Sequence, residues 1–143
     1  MGKKRIYVIA CGGTIAGKAA SAEDLTGYTA GEATIDELLA AVPEMARYAD
    51  VQGEQFCNID SSNMTESLWL ALAKRVAEIA DDDAVDGIVI THGTDSLEET
   101  AYFLHLTVHT AKPVVMVGSM RPSTAVSADG QIGEHTSDLQ SHL

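Results

Sequence analysis

The sequence predicts an α/β fold: a doubly wound, mainly parallel sheet with helices on both faces. Three observations carry that prediction. Short unbroken apolar runs occur at Arg5–Ala10, Gly87–Thr91 and Val114–Val117, the habit of parallel strands buried on both faces. Stretches with helical spacing separate them, without repeats or linkers, which is the alternation of an α/β layer. The strand-like runs end in segments rich in Gly, Ser and Thr, and open α/β sheets bind their ligands beyond the carboxyl ends of their strands.

Along the chain, Arg5–Ala10 is a buried strand that ends at Gly12-Gly13, where the backbone can turn tightly or approach a ligand closely. Lys18–Ala33 is small, polar and glycine-bearing, and reads as a long mobile loop or a weak hairpin; loops of that length are usually functional. Thr34 and Glu37 form a capping box for a short helix carrying Leu38, Leu39 and Val42, which Pro43 ends. Asp50–Phe56 is a second core strand, followed by a loop from Cys57 to Asn63. Thr65 caps a stronger helix whose Leu68, Leu72, Val76 and Ile79 repeat at helical spacing. Asp81-Asp82-Asp83 closes it as a solvated turn, since three adjacent carboxylates do not converge easily on one ion. After the strand Gly87–Thr91, Asp95 and Glu98 make another capping box. Leu97, Ala101, Leu104 and Val108 give that helix its buried stripe, and Lys112-Pro113 stops it.

At 143 residues, 45% hydrophobic and 21% charged, the composition is that of one globular domain. A net charge of −12, with nine basic residues scattered apart from Lys3-Lys4-Arg5, argues against nucleic acid or an anionic membrane as partner. Lys3-Lys4-Arg5 followed by Ile6–Ala10 imitates a signal peptide, but the apolar stretch is too short. The chain therefore reads as cytoplasmic. Cys11 and Cys57 have neither a metal-ligand nor a redox-pair spacing; both fall near strand ends, so they could meet, and two buried thiols is the expectation with a disulfide as the lesser alternative.

Two segments carry chemistry. Thr14 follows two glycines, which would free its hydroxyl and nearby N–H groups to meet a reacting carbonyl. The same Gly-Gly-Thr also suits a plain strand-to-loop turn with Thr14 capping a backbone donor. Asp95 suits a helix N-cap, and a carboxylate at that edge could equally receive a substrate ammonium, with Thr94 beside it. Ser61 and Ser62 form the third loop, suited to a carboxylate. His92 reads as a structural hydrogen-bonding residue ahead of a general base, and His105 and His109 as surface residues lacking a third metal ligand.

Cys11-Gly12-Gly13-Thr14-Ile15-Ala16-Gly17 together with Thr91-His92-Gly93-Thr94-Asp95 resembles the two signature segments of bacterial-type L-asparaginases. The likeness continues through Glu98–Leu104, Gly118–Pro122 and Ser127–Gly130, so it covers about residues 3–130. The resemblance implies the N-terminal domain of the asparaginase fold, and hydrolysis of asparagine, often also glutamine, through an acyl-threonine without metal or cofactor. It implies Thr14 as nucleophile, Tyr28 as the residue that closes over and helps activate it, and Thr94 as second catalytic threonine. Ser61 would bind the substrate carboxylate and Asp95 its amino group. Ser62 stands where the exported branch has glutamine and resembles the cytoplasmic branch, whereas Leu97–Leu104 looks more like the exported branch, so both branches stay open; Cys11 stands where threonine is usual. The family assembles as a homo-oligomer in its full-length form.

The same resemblance sets an expectation for the end of the sequence. After Gly130 the family continues into a helix, a strand bearing a catalytic lysine and a second domain, whereas Gln131–Leu143 reads as a disordered tail and no lysine follows Lys112. The expectation is an incomplete N-terminal domain over 1–130, inactive by itself. Its rivals are a non-catalytic truncated or frameshifted product, the asparaginase-like subunit of a tRNA-dependent amidotransferase, and an unrelated small-ligand module.

Overall fold

Four strands make the main sheet, β1 (Lys4–Gly12), β4 (Ala49–Ile59), β5 (Gly87–Thr91) and β6 (Val114–Val117), in the order β4-β1-β5-β6. All three pairings are parallel. The structure, a computed structural model, describes residues 2–13, 15, 18–19, 28–29, 35–40 and 43–121. Because the strands run the same way, Gly12, Ile59, Thr91 and Val117 end along one edge. The chain first passes from β1 to β4 on one side, then crosses back through α3 (Glu66–Ala80) to β5 on the other. Strand order thus reverses about β1, the arrangement that opens a crevice at the carboxyl ends.

Side chains along β1 alternate between two cores. Ile9 and Cys11 join Ile88 and Ile90 under Leu72, Val76 and Ile79 of α3 and Leu104 of α4 (Leu97–Thr107). Val8 and Ala10 face the other way, with Val51, Val89 and Leu39 of α1 (Ile35–Ala40). Helices therefore cover both faces, as the sequence predicts. Leu72 and Val76 are fully buried, and burying each such side chain contributes about 1.5–3 kcal/mol. Thr65 caps α3 as expected, its Oγ1 accepting the Leu68 N–H at 3.3 Å.

The arm from α3 to β4 is ionic. Arg75 forks onto Glu54 through two bonds of 2.8 Å, and the Tyr7 hydroxyl adds a third at 3.1 Å. The Arg75 guanidinium holds the Glu54 carboxyl below the usual carboxylate range. At the opposite end of β1, Asp86 takes the Lys4 ammonium and the Arg5 N–H.

Four details depart from the sequence reading. A helical turn, α2 (Met45–Tyr48), precedes β4; four residues are too few to show a period. β4 runs on to Ile59 and absorbs Cys57-Asn58-Ile59 from the expected loop. It flanks β1 on the outside of the sheet, so it tolerates Gly53, Gln55 and Asn58, which masked its length. The Asp95–Glu98 capping box does not form: α4 begins at Leu97 with Ser96 at the N-cap and no side-chain cap bond. The same helix ends at Thr107, well before Lys112-Pro113, because Val108 turns extended and packs onto the core. Lys18–Ala19 (β2) and Tyr28–Thr29 (β3) pair antiparallel, in line with the hairpin alternative. The Thr34 cap, the boundary at 130 and the tail 131–143 lie outside the described residues.

β1 and β4 part from regular pairing near their ends. Ala10 pairs with Gln55 and Gly12 with Ile59, so Cys11 alone opposes Phe56, Cys57 and Asn58. The Gln55 side-chain amide fills this bulge, donating to the carbonyls of Ala10 at 3.2 Å and Cys57 at 2.6 Å. Such bulges re-aim side chains next to functional sites. No helix among the described residues is long and apolar enough to cross a membrane.

Candidate functional site

Glycine sets the geometry at the carboxyl edge. Gly12 and Gly13 have φ of 92° and 83°, backbone that other residues rarely adopt. A Cβ on Gly12 would fall 2.7 Å from the Ile59 backbone, and one on Gly13 would collide with the backbone of Gly93. Gly93 in turn has the Ser61 hydroxyl 2.5 Å from where its own Cβ would stand. The loops after β1, β4 and β5 are thus in direct backbone contact. The Gly13 N–H, which the sequence left free for a developing oxyanion, is instead given to the Ile59 carbonyl at 3.0 Å.

Ser61 is the hub. It opens a single 3₁₀ turn, Ser61–Asn63, whose N-cap Asp60 accepts from both the N–H (3.0 Å) and the hydroxyl (2.9 Å) of Ser62. Ser61 is buried, its Oγ accepts the Asp95 N–H at 3.1 Å, and its carbonyl accepts the Ser96 hydroxyl at 2.7 Å. The start of α4 is therefore tied to the β4 loop rather than to itself. This leaves the Asp95 side chain exposed, with no side-chain partner among the described residues. Thr94 lies against Gly118 through its methyl group, half-buried at the same edge.

Beneath these loops runs a buried polar relay. The Gly93 carbonyl can only accept, so His92 Nδ1, 2.8 Å away, carries the proton. Its Nε2 and the Thr100 hydroxyl share a hydrogen bond of 3.0 Å. Thr100 Oγ1 then receives the Trp69 indole N–H at 2.8 Å. Every member is satisfied, and α3, α4 and the Gly93 loop are fixed to one another. Trp69 also stacks on Phe103, ring centroids 5.7 Å apart. His92 is the structural residue the sequence suggested; the relay through Thr100 and Trp69 was not anticipated. His105 and His109 are exposed.

Of the residues singled out from the sequence, Ser61, Ser62, Thr94 and Asp95 are gathered along this edge. Thr14 lies outside the described residues, and of Tyr28 only the backbone in β3 is described. No group of three His, Cys, Asp or Glu with metal-binding geometry occurs among the described residues.

Residues 5–137 match the family described as asparaginase, N-terminal. The chain belongs to the asparaginase family. A glutaminase-asparaginase of Pseudomonas aeruginosa is 57% identical over 127 residues, 89% of this chain and 35% of that protein. L-asparaginase 2 of Bacillus subtilis is 57% identical over 125 residues, 87% of this chain and 33% of its own. A crystal structure of a probable cytoplasmic L-asparaginase from Campylobacter jejuni superposes with a TM-score of 0.86 at 56% identity, covering 90% of this chain and 39% of that one. The chain thus spans about a third of the length of the asparaginases it matches. Its fold is that of the asparaginase N-terminal domain, as the resemblance implied.

Ser96 is the site residue that sequence reasoning missed. Its signal was faint: a hydroxyl one step past Asp95 looks like any residue in a helix's first turn. Only the fold shows that its partner is Ser61, on another loop.

Proposed function

We propose that this domain carries the amino-acid-binding and acyl-transfer side of an L-asparaginase-type amidohydrolase, acting on asparagine with glutamine as a second substrate. The observation that carries the reading is the Asp95 carboxylate, released from helix capping and exposed beside Ser61. A carboxylate there suits a substrate ammonium. Ser61 Oγ already accepts the Asp95 N–H, so its own proton remains to donate to a substrate carboxylate. Ser62 gives both its N–H and hydroxyl to Asp60, so its contribution is to hold the turn that presents Ser61.

In this reading the Thr14 hydroxyl adds to the side-chain amide carbon, and its proton passes to the leaving nitrogen. The C–N bond breaks, ammonia departs and an acyl-threonine remains for water to hydrolyse. Tyr28 closes over Thr14, and Thr94 assists proton movement. No metal or cofactor enters. The family resemblance adds to this set a lysine from further along an asparaginase chain. The complete enzyme would be a homo-oligomer. Cytoplasmic residence belongs to the same proposal, with the C. jejuni relative, a probable cytoplasmic L-asparaginase, on its side and a probable periplasmic L-asparaginase of Haemophilus influenzae, 52% identical, against it.

The test is a chimaera in which residues 1–130 are followed by the remaining length of the B. subtilis relative. It should release ammonia from asparagine, lose nearly all of that activity on Thr14→Ala, and still bind aspartate. Ordinary turnover by the Thr14→Ala chimaera would remove Thr14 as nucleophile.

A further inference from the structure

Cys11 and Cys57 take no part in the site just described, yet they meet inside the bulge that joins β1 to β4 behind it. We propose that these two residues are a redox-modification site, closing to an intramolecular disulfide by exchange with a small disulfide of the glutathione class and reopening on reduction.

A disulfide requires roughly 4.4–6.8 Å between Cα atoms, and Cys11 sits directly across from the segment Phe56–Asn58 that holds Cys57, on the hydrogen-bonded neighbouring strand. Both thiols belong to the same core cluster, so they share one face of the sheet. In regular parallel pairing two neighbours point side by side and bridge poorly. The bulge relieves this, because Cys11 opposes three residues and Cys57 is turned back until its Sγ lies 3.4 Å from the Cys11 carbonyl. Both are free thiols in this structure.

Access is unequal. Cys11 is 3% exposed, while Cys57 is half-buried and can be reached from solvent. Contact with the Cys11 thiol favours the Cys57 thiolate and lowers its pKa; the same contact and burial push Cys11 up. Cys57 therefore attacks and Cys11 resolves. The Cys57 thiolate adds to one sulfur of RS–SR, that S–S bond breaks, and RS⁻ leaves and takes up the Cys57 proton. Cys11, losing its proton to the second RS⁻, displaces it from the mixed disulfide. Two protein thiols are oxidised to one disulfide and the small disulfide is reduced to two thiols. The new link lies one residue before Gly12, alongside the Gly13 to Ile59 hydrogen bond, so closure stiffens the loop that leads into Thr14.

The experiment treats the native 143-residue chain with glutathione disulfide at graded ratios to glutathione, followed by intact mass and non-reducing peptide mapping. The expected product has lost two hydrogens, links the Cys11 and Cys57 peptides, returns fully on reduction, and exchanges its Gly13 amide more slowly. Closure should be at least about tenfold faster in the folded chain than in urea, as held proximity requires. Cys11→Thr should stop at a stable glutathione adduct on Cys57. A persistent adduct on Cys57 of the unsubstituted protein, links between chains, no reaction, or equal rates in urea would each overturn the proposal.

Discussion

Helices α3 and α4 lie side by side on one face of the same sheet and begin in opposite ways. Thr65 turns its hydroxyl onto the N–H of Leu68 and closes the first turn of α3. At α4, Ser96 gives its hydroxyl to the Ser61 carbonyl and Asp95 gives its N–H to the Ser61 hydroxyl, so the first turn has no side-chain cap. An N-cap is worth roughly 0.5–2 kcal/mol. One helix start keeps that stabilisation; the other forgoes it and leaves a carboxylate exposed at the carboxyl edge of the sheet. Local propensity tends to be overridden at functional sites, where a group is needed elsewhere.

The largest effect that can test this contrast is on catalysis. In the chimaera, Asp95→Ala should lower kcat/KM for asparagine by about 10²–10³-fold, the loss of a charge pair worth roughly 2–5 kcal/mol, while Thr65→Ala leaves it within about twofold. Equal effects of the two substitutions would erase the distinction between the helix starts.

A smaller effect concerns what joins the two helices. Thr100→Val in the 143-residue chain strands the Trp69 N–H and His92 Nε2 in the interior, at about 1–3 kcal/mol for each orphaned group. Urea unfolding should show a total loss of about 2–6 kcal/mol. A loss under about 0.5 kcal/mol would mean that the relay does not hold α3 to α4.

Thr65→Ala should cost about 1 kcal/mol of unfolding free energy, and Asp95→Ala less than about 0.5 kcal/mol. If Asp95→Ala destabilises as much as Thr65→Ala, Asp95 is a cap after all and its carboxylate is not held free for a ligand.

The last difference is in acid. α3 is anchored to β4 through Arg75 and Glu54, and the Glu54 pKa is lowered from its ordinary 4.5. That contribution is complete above the ordinary value and is lost as pH falls below it and through the lowered one. The urea midpoint should therefore drop on acidification, and Glu54→Gln should flatten part of the drop. An unchanged slope would assign the acid sensitivity to other carboxylates.

Legibility in the sequence followed the range of the interactions involved. Gly87–Thr91 and Val114–Val117 coincide with β5 and β6, short β-branched runs bounded by turn residues; β5 is buried on both faces as expected, whereas in β6 Val115 is exposed. Helix α3 and its Thr65 cap are local matters and were equally plain. The Asp95–Glu98 box failed because Ser61, remote in sequence, outcompeted a local rule. β4 was shortened in the reading because Asn58 sounds like a loop, and only its pairing with β1 makes it strand. At the site, residue types on three loops could be read directly. That Gly13 spends its N–H on Ile59, and that His92 is locked by Thr100 and Trp69, are facts of tertiary distance that no spacing encodes.

The backbone contact between Gly13 and Gly93 has a kinetic and thermodynamic consequence. It joins the loops after β1 and β5, and Ser61 from the loop after β4 packs against the same glycine. The carboxyl edge therefore comes into being only when three strands distant in sequence have all paired, an event that topologies rich in long-range contacts reach slowly. A partly folded form with β5 undocked lacks the edge at which we propose the ligand binds. Occupancy is then linked to global unfolding rather than to local opening: a ligand at one hundred times its Kd should deepen the native basin by about 2.7 kcal/mol, and do so for the whole sheet at once.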